Sequence, residues 1–188
     1  MLQNSRLRLA VAVSVLVAAL ATCAAVVAAK RAPSDVAVIT ASLKNADGQE
    51  VAVAEFRKSP RSAVRVIVSG RGLPPGFHGM HVHAVGACEA PAFTTAGGHL
   101  QNEGTSHAGH AGDLTSVYVK SDGTLSVRFE TDRFGLDTLR DLDGSAVIIH
   151  AGPDNFANIP PRYAPDGPDQ TTRDTGDSGA RIACGTIR

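Results

Sequence analysis

All seven histidines of the chain lie between residues 78 and 150. His81 and His83 are two apart in an apolar run. On a strand, residues i and i+2 share a face, so both imidazoles reach one ion. His78 is an odd number of residues from both and faces the other side. Its expected role is to tie strand to loop by hydrogen bonds. His99, His107, His110 and Asp113 follow at intervals of 8, 3 and 3. Three imidazoles and a carboxylate make a good tetrahedral zinc set. Gly104, Gly109 and Gly112 supply the backbone freedom to fold around an ion. His150 ends an apolar strand, where a ligand can point into a site built by loops. The competing reading is a solvated histidine-rich patch.

Short strands must position these groups. Alternating or apolar runs at Val36–Leu43, Val51–Phe56, Ala63–Val68, His78–Val85, Val117–Val119, Leu125–Phe129, Ser145–His150 and Arg181–Ile187 predict eight strands. Glycine- and proline-rich turns separate them, and a short helical piece is expected only near Asp137–Leu142. This is the pattern of an all-β antiparallel sandwich or barrel. Gly86–Leu114 and Ala151–Ala180 break the rhythm. Long loops in such a domain are usually functional, and both adjoin histidines.

Eighteen Lys and Arg balance eighteen Asp and Glu, which leaves no basic field for nucleic acid. At the N-terminus, Arg6 and Arg8 precede an uncharged run from Leu9 to Ala29, then Lys30 and Arg31. A positive start and an apolar stretch describe an export signal. The run is also long enough to span a bilayer. Residues 1–33 are therefore expected to be a cleaved signal or a membrane anchor, and residues 34–188 the folded domain. Leu20-Ala21-Thr22-Cys23 is similar to a lipoprotein site, which adds a lipid anchor at Cys23 as a third form. Outside the cytoplasm, Cys88 and Cys184 are the arithmetic of one disulfide. Closing a loop of about a hundred residues is worth about 4–5 kcal/mol in the chain-entropy model.

The segments GFHGMHVHAVGAC (76–88), AGGHL (96–100), HAGDL (110–114), IIHAGPDN (148–155) and GDSGARIACGTI (176–187) resemble the copper-zinc superoxide dismutases, in particular their exported bacterial, actinobacterial-like branch. The resemblance implies an immunoglobulin-like, Greek-key β-sandwich or barrel of eight strands. It implies dismutation of superoxide to oxygen and hydrogen peroxide, protecting the cell envelope from extracellular superoxide. His81, His83 and His150 would bind copper, and His99 would bridge copper and zinc. His107, His110 and Asp113 would complete the zinc site. Asp154 would hydrogen-bond ligands of both metals. Arg181 would receive the anion, although a salt bridge closing the loop would also account for it. Cys88 and Cys184 match the family's disulfide. The expected compartment is the cell envelope, a periplasm-like space or the exterior. The family includes monomers and homodimers. The rival readings are an exported copper-binding module without turnover and a copper-only dismutase lacking zinc.

Overall fold

Side chains alternate between core and solvent along the first strands. In β1 (Val38–Lys44) Ile39, Ala41 and Leu43 point inward, while Val38, Thr40, Ser42 and Lys44 do not. β2 (Glu50–Lys58) and β3 (Val64–Arg71) bury Ala54, Phe56, Val66 and Val68 against the same interior. Phe56 is fully buried, so truncation to alanine should cost about 3–5 kcal/mol. The computed structural model describes residues 38–60, 63–102 and 104–188. The expected signal or anchor lies outside them. Among the described residues, no helix is long and apolar enough to cross a membrane.

The remaining strands are β4 (Gly76–His78), β5 (Met80–His83), β6 (Val117–Val119), β7 (Thr124–Thr131), β8 (Ala146–His150) and β9 (Arg181–Thr186). They join one antiparallel sheet in the order β4-β6-β7-β3-β2-β1-β9-β8-β5. The expected all-β class holds, but the described residues carry nine strands, not eight. The run expected as one strand from His78 divides at Gly79, because its two halves pair differently. β4 pairs with β6 and β5 with β8. They occupy opposite ends of the strand order, so the chain passing through Gly79 links the two ends into a nearly closed barrel. Gly79 donates to the Gly152 carbonyl at 2.8 Å and accepts from His150 N–H at 2.9 Å. A Cβ there would lie 2.7 Å from Ser178 Oγ, so only glycine lets the 151–180 loop approach this closely.

β8 is buried on both faces, and this determines where the site lies. Val147 and Ile149 enter the barrel core with Met80 and Val82. Ala146 and Ile148 face a second cluster with Phe93, Ala96 and Cys184. His81 pairs with Ile148 and His83 with Ala146 across the β5–β8 ladder. Both histidines therefore share the face turned away from the barrel interior and toward the loops. The disulfide Cys88–Cys184, with Cα atoms 5.7 Å apart, fastens the first long loop to β9. The second loop contains a helix that sequence periodicity does not reveal, α1 (Gln170–Thr175). Its six residues are too few to show a helical repeat. Near Asp137 the expected helical piece is a single 3-10 turn, Thr138–Arg140.

Candidate metal centre

Two loop segments lie across β5 and bring the remaining histidines to it. Leu100 N–H donates to the Val82 carbonyl at 2.8 Å, and Val82 N–H donates to the Gly112 carbonyl at 2.9 Å. Isolated bridges pair His83 with His99 and His81 with Asp113. A Cβ on Gly112 would collide with the Val82 backbone, which makes glycine necessary at this crossing. His150 ends β8 opposite Arg181 of β9. All six histidines other than His78 thus converge with Asp113 and are buried.

One donor set consists of His81, His83, His99 and His150, with ligand atoms within 4.8 Å of one another. Each ring is oriented through its other nitrogen. His83 Nδ1 lies 3.0 Å from the Gly97 carbonyl and His150 Nδ1 3.0 Å from that of Gly179. His81 Nε2 lies 2.9 Å from Asp154 Oδ2, and His99 Nδ1 2.8 Å from Asp113 Oδ1. The opposite atoms, His81 Nδ1, His83 Nε2, His99 Nε2 and His150 Nε2, are buried without any hydrogen-bond partner. Each such orphan costs about 1–3 kcal/mol unless something binds it. Four bare imidazole nitrogens facing one another fit copper.

The second set centres on Asp113. His99 Nδ1, His107 Nδ1 and His110 Nδ1 lie 2.8, 3.0 and 3.3 Å from its Oδ1. The His110 backbone N–H donates to Oδ2 at 2.9 Å. Three imidazoles around one carboxylate fit zinc. The donor atoms that lie within 4.8 Å of one another on this side belong to His81, His99, His107 and Asp113, while His110 reaches the group through its 3.3 Å approach to Asp113 Oδ1. Asp154 Oδ1 meets His107 Nε2 at 2.8 Å while Oδ2 meets His81, so one carboxylate spans both sets.

Burial lowers His81 to about 4 against the pull of Asp154, and lowers His150 to about 3. It also holds His83 well below its ordinary value, and the neighbouring His99 adds to this. These three rings are therefore neutral near pH 7, with their lone pairs available. Burial opposes charge on His107 too, but its contacts to the carboxylates of Asp113 and Asp154, which accept from the protonated ring, outweigh it and raise that ring to about 9. The same contacts hold both carboxyls below the usual range despite their burial.

The structure brings His81, His83, His99, His107, His110, His150, Asp113 and Asp154 together through the contacts above. His78 stays apart, its ring nitrogens 2.7 Å from the His150 carbonyl and 2.8 Å from that of Pro74. Arg181 donates through Nη1 to the Phe93 carbonyl and through Nη2 to the Gly97 carbonyl, both at 2.6 Å. It lines a surface pocket with Pro91, Ala92, Thr94, Gly179 and Ala180. Several contributors were not legible in the sequence. Gly97 and Gly179 act through carbonyls, which carry no residue-type signal. Arg133, on an exposed turn, donates to the carbonyls of Ala108 and His110 at 2.8 and 2.9 Å and braces the second set.

The family model for copper/zinc superoxide dismutase matches residues 51–187. The chain belongs to this family. It is 45% identical over 177 residues to the Cu-Zn superoxide dismutase of Mycolicibacterium paratuberculosis, covering 85% of this chain and 78% of the relative. Against the Mycobacterium tuberculosis enzyme identity is 44% over 166 residues, covering 79% and 69%. These relatives support the actinobacterial-like branch. A crystal structure of a SOD-like protein from Bacillus subtilis superposes with a TM-score of 0.67 at 29% identity, covering 79% of this chain and 97% of that one.

Proposed function

We propose that this copper/zinc superoxide dismutase family member binds copper through His81, His83, His99 and His150 and zinc through His99, His107, His110 and Asp113, and that it works in the cell envelope. The observation that carries this reading is the set of five buried imidazole nitrogens without a hydrogen-bond partner, on His81, His83, His99 and His150 at the copper side and His107 Nδ1 at the zinc side. Copper held by these four histidines would supply the one-electron chemistry of dismutation, in which one superoxide is oxidised to oxygen and a second is reduced, with two protons, to hydrogen peroxide, and zinc would supply no redox chemistry. Arg181 holds a positive charge at the pocket beside this set and orients the small anion. Its two carbonyl bonds keep the guanidinium in one place. Asp113 holds Nδ1 of His99, so this ring would present Nε2 alone to the copper side, where it would carry a proton only when not ligated. Asp154 engages Nε2 of His81 and of His107, which turns Nδ1 of His81 toward the copper-side set and Nδ1 of His107 toward Asp113, the usual work of a carboxylate behind a metal ligand.

Stopped-flow superoxide decay on the full chain loaded with copper and zinc, compared with His81→Ala, tests the reading. Fast decay that vanishes in the variant is expected. Stoichiometric copper without catalysed decay would favour the binding module instead.

The N-terminal run supports export, with residues 34–188 as the mature domain and residues 1–33 as signal or anchor. Mass spectrometry of the protein from its own cells separates the forms. A start near residue 34 indicates cleavage, a lipid on Cys23 indicates an anchor, and an intact chain in the cytoplasm would refute export.

A further inference from the structure

The helix α1 contributes no ligand, yet its C-terminal end touches His107 in two ways. The Arg173 carbonyl accepts the His107 backbone N–H at 2.8 Å. Gly176 caps the helix in the left-handed region, φ +59, with its N–H on the Thr172 carbonyl at 2.9 Å. Gly176 also packs directly against the bond between His107 Nε2 and Asp154 Oδ1. A Cβ there would overlap both atoms of that bond and lie 2.7 Å from His107 Cδ2.

Neither partner is free to retreat. Asp154 holds His81 with one oxygen and His107 plus the Phe156 N–H with the other. The His107 ring is stacked on Phe156, with centroids 6.5 Å apart and planes at 13°. Moving either atom breaks a bond to a candidate ligand.

We propose that α1 is the positioning element for His107 and that Gly176 is the positioning residue whose bare Cα allows the His107–Asp154 bond to form. Arg173 O fixes the His107 backbone, and Gly176 leaves space for the ring to reach Asp154. That contact points His107 Nδ1 at Asp113. The inference rests on His107 serving the zinc-side set, and it couples the order of the 151–180 loop to the affinity of that set.

The test uses the full chain and two readouts. Cobalt(II) affinity is followed by the visible bands of the zinc-side set. Hydrogen exchange of the His107 Nε2–H is followed by NMR of the zinc-loaded protein. Gly176→Ala should weaken cobalt about tenfold or more and speed that exchange. Gly48→Ala, at φ +80 with open space around it, controls for left-handed strain and should change neither. With Asp154→Ala in the background, Gly176→Ala should add little further loss, because the bond it protects is gone. Wild-type cobalt affinity in Gly176→Ala, or an equal loss with and without Asp154, overturns the proposal. Should Gly176→Ala fail to fold, Asp169→Ala decides. It removes only the side chain that accepts from Thr172 N–H at the start of α1. Faster amide exchange across Thr172–Gly176 together with faster His107 Nε2–H exchange supports the coupling, and faster amide exchange alone refutes it. Absence of dismutation would count against the proposed function and leave these results standing.

Discussion

Arg181 Nη2 and His83 Nδ1 meet at one oxygen, the carbonyl of Gly97, at 2.6 and 3.0 Å. The anion-receiving arginine and a candidate copper ligand are thus mechanically joined. Lysine keeps the charge at position 181 but cannot reproduce a planar fork onto two carbonyls. Arg181→Lys should therefore lower kcat/KM about tenfold, in the range typical for loss of a bond behind a ligand. It should also shift the visible spectrum of the copper-loaded protein. Stopped-flow rates at several ionic strengths check this. Full activity in the lysine variant would reduce Arg181 to a bare charge.

The disulfide anchors the loop that bears both carbonyl acceptors of Arg181. Replacing Cys88 and Cys184 with alanine frees a span with a sequence separation of 96. The chain-entropy model assigns such a link about 4–5 kcal/mol. Urea unfolding of the metal-free double variant should show a loss of that order, and reduced wild type should match it. Activity should fall even where the variant is folded, because Phe93 O and Gly97 O lose their tether.

The His81–His83 pair was legible because strand geometry imposes a period of two, the zinc-side residues were grouped by type and spacing, and the assignment of each residue to a metal came from the family resemblance. His81 and His83 share a face for that reason, and His78 is excluded by it. The strand count was less legible, since a division at Gly79 depends on which partner each half finds, and no local pattern encodes that. The site's supports were the least visible. Gly97, Gly179 and Arg173 act through backbone carbonyls, and Gly176 acts by lacking a side chain. Arg133 reaches the His107–His110 turn from an element distant in sequence. In each case the signal is the fold's closure, not residue type.

Asp113 Oδ1 is the common neighbour of three imidazole nitrogens. Asp113→Ala removes the only carboxylate of the proposed zinc set but none of the four bare nitrogens facing copper. Zinc content after dialysis should fall first, with copper retained. Elemental analysis measures both, and unchanged zinc would sink the assignment of Asp113.

Acid should weaken the two sets differently. Burial opposes charge on His107, but Asp113 and Asp154 raise it to about 9. In the metal-free protein this ring is therefore protonated at neutral pH, and a zinc ion must displace that proton to reach Nδ1. Apparent zinc affinity should rise about tenfold per pH unit up to about pH 9 and then level off. The same raised value means the ring stabilises the metal-free fold fully below its ordinary 6.5, and this contribution is lost as pH rises through about 9. Burial holds His81 at about 4, His150 at about 3 and His83 well below its ordinary value, so these three release no proton to an incoming copper near neutrality. Calorimetry in buffers of different ionisation enthalpy separates the cases. Zinc binding at pH 7 should transfer about one proton to the buffer from His107, and His107→Gln should abolish that transfer. A zinc isotherm independent of buffer would show that His107 is neutral in the metal-free protein and that its bonds to Asp113 and Asp154 do not hold a charge.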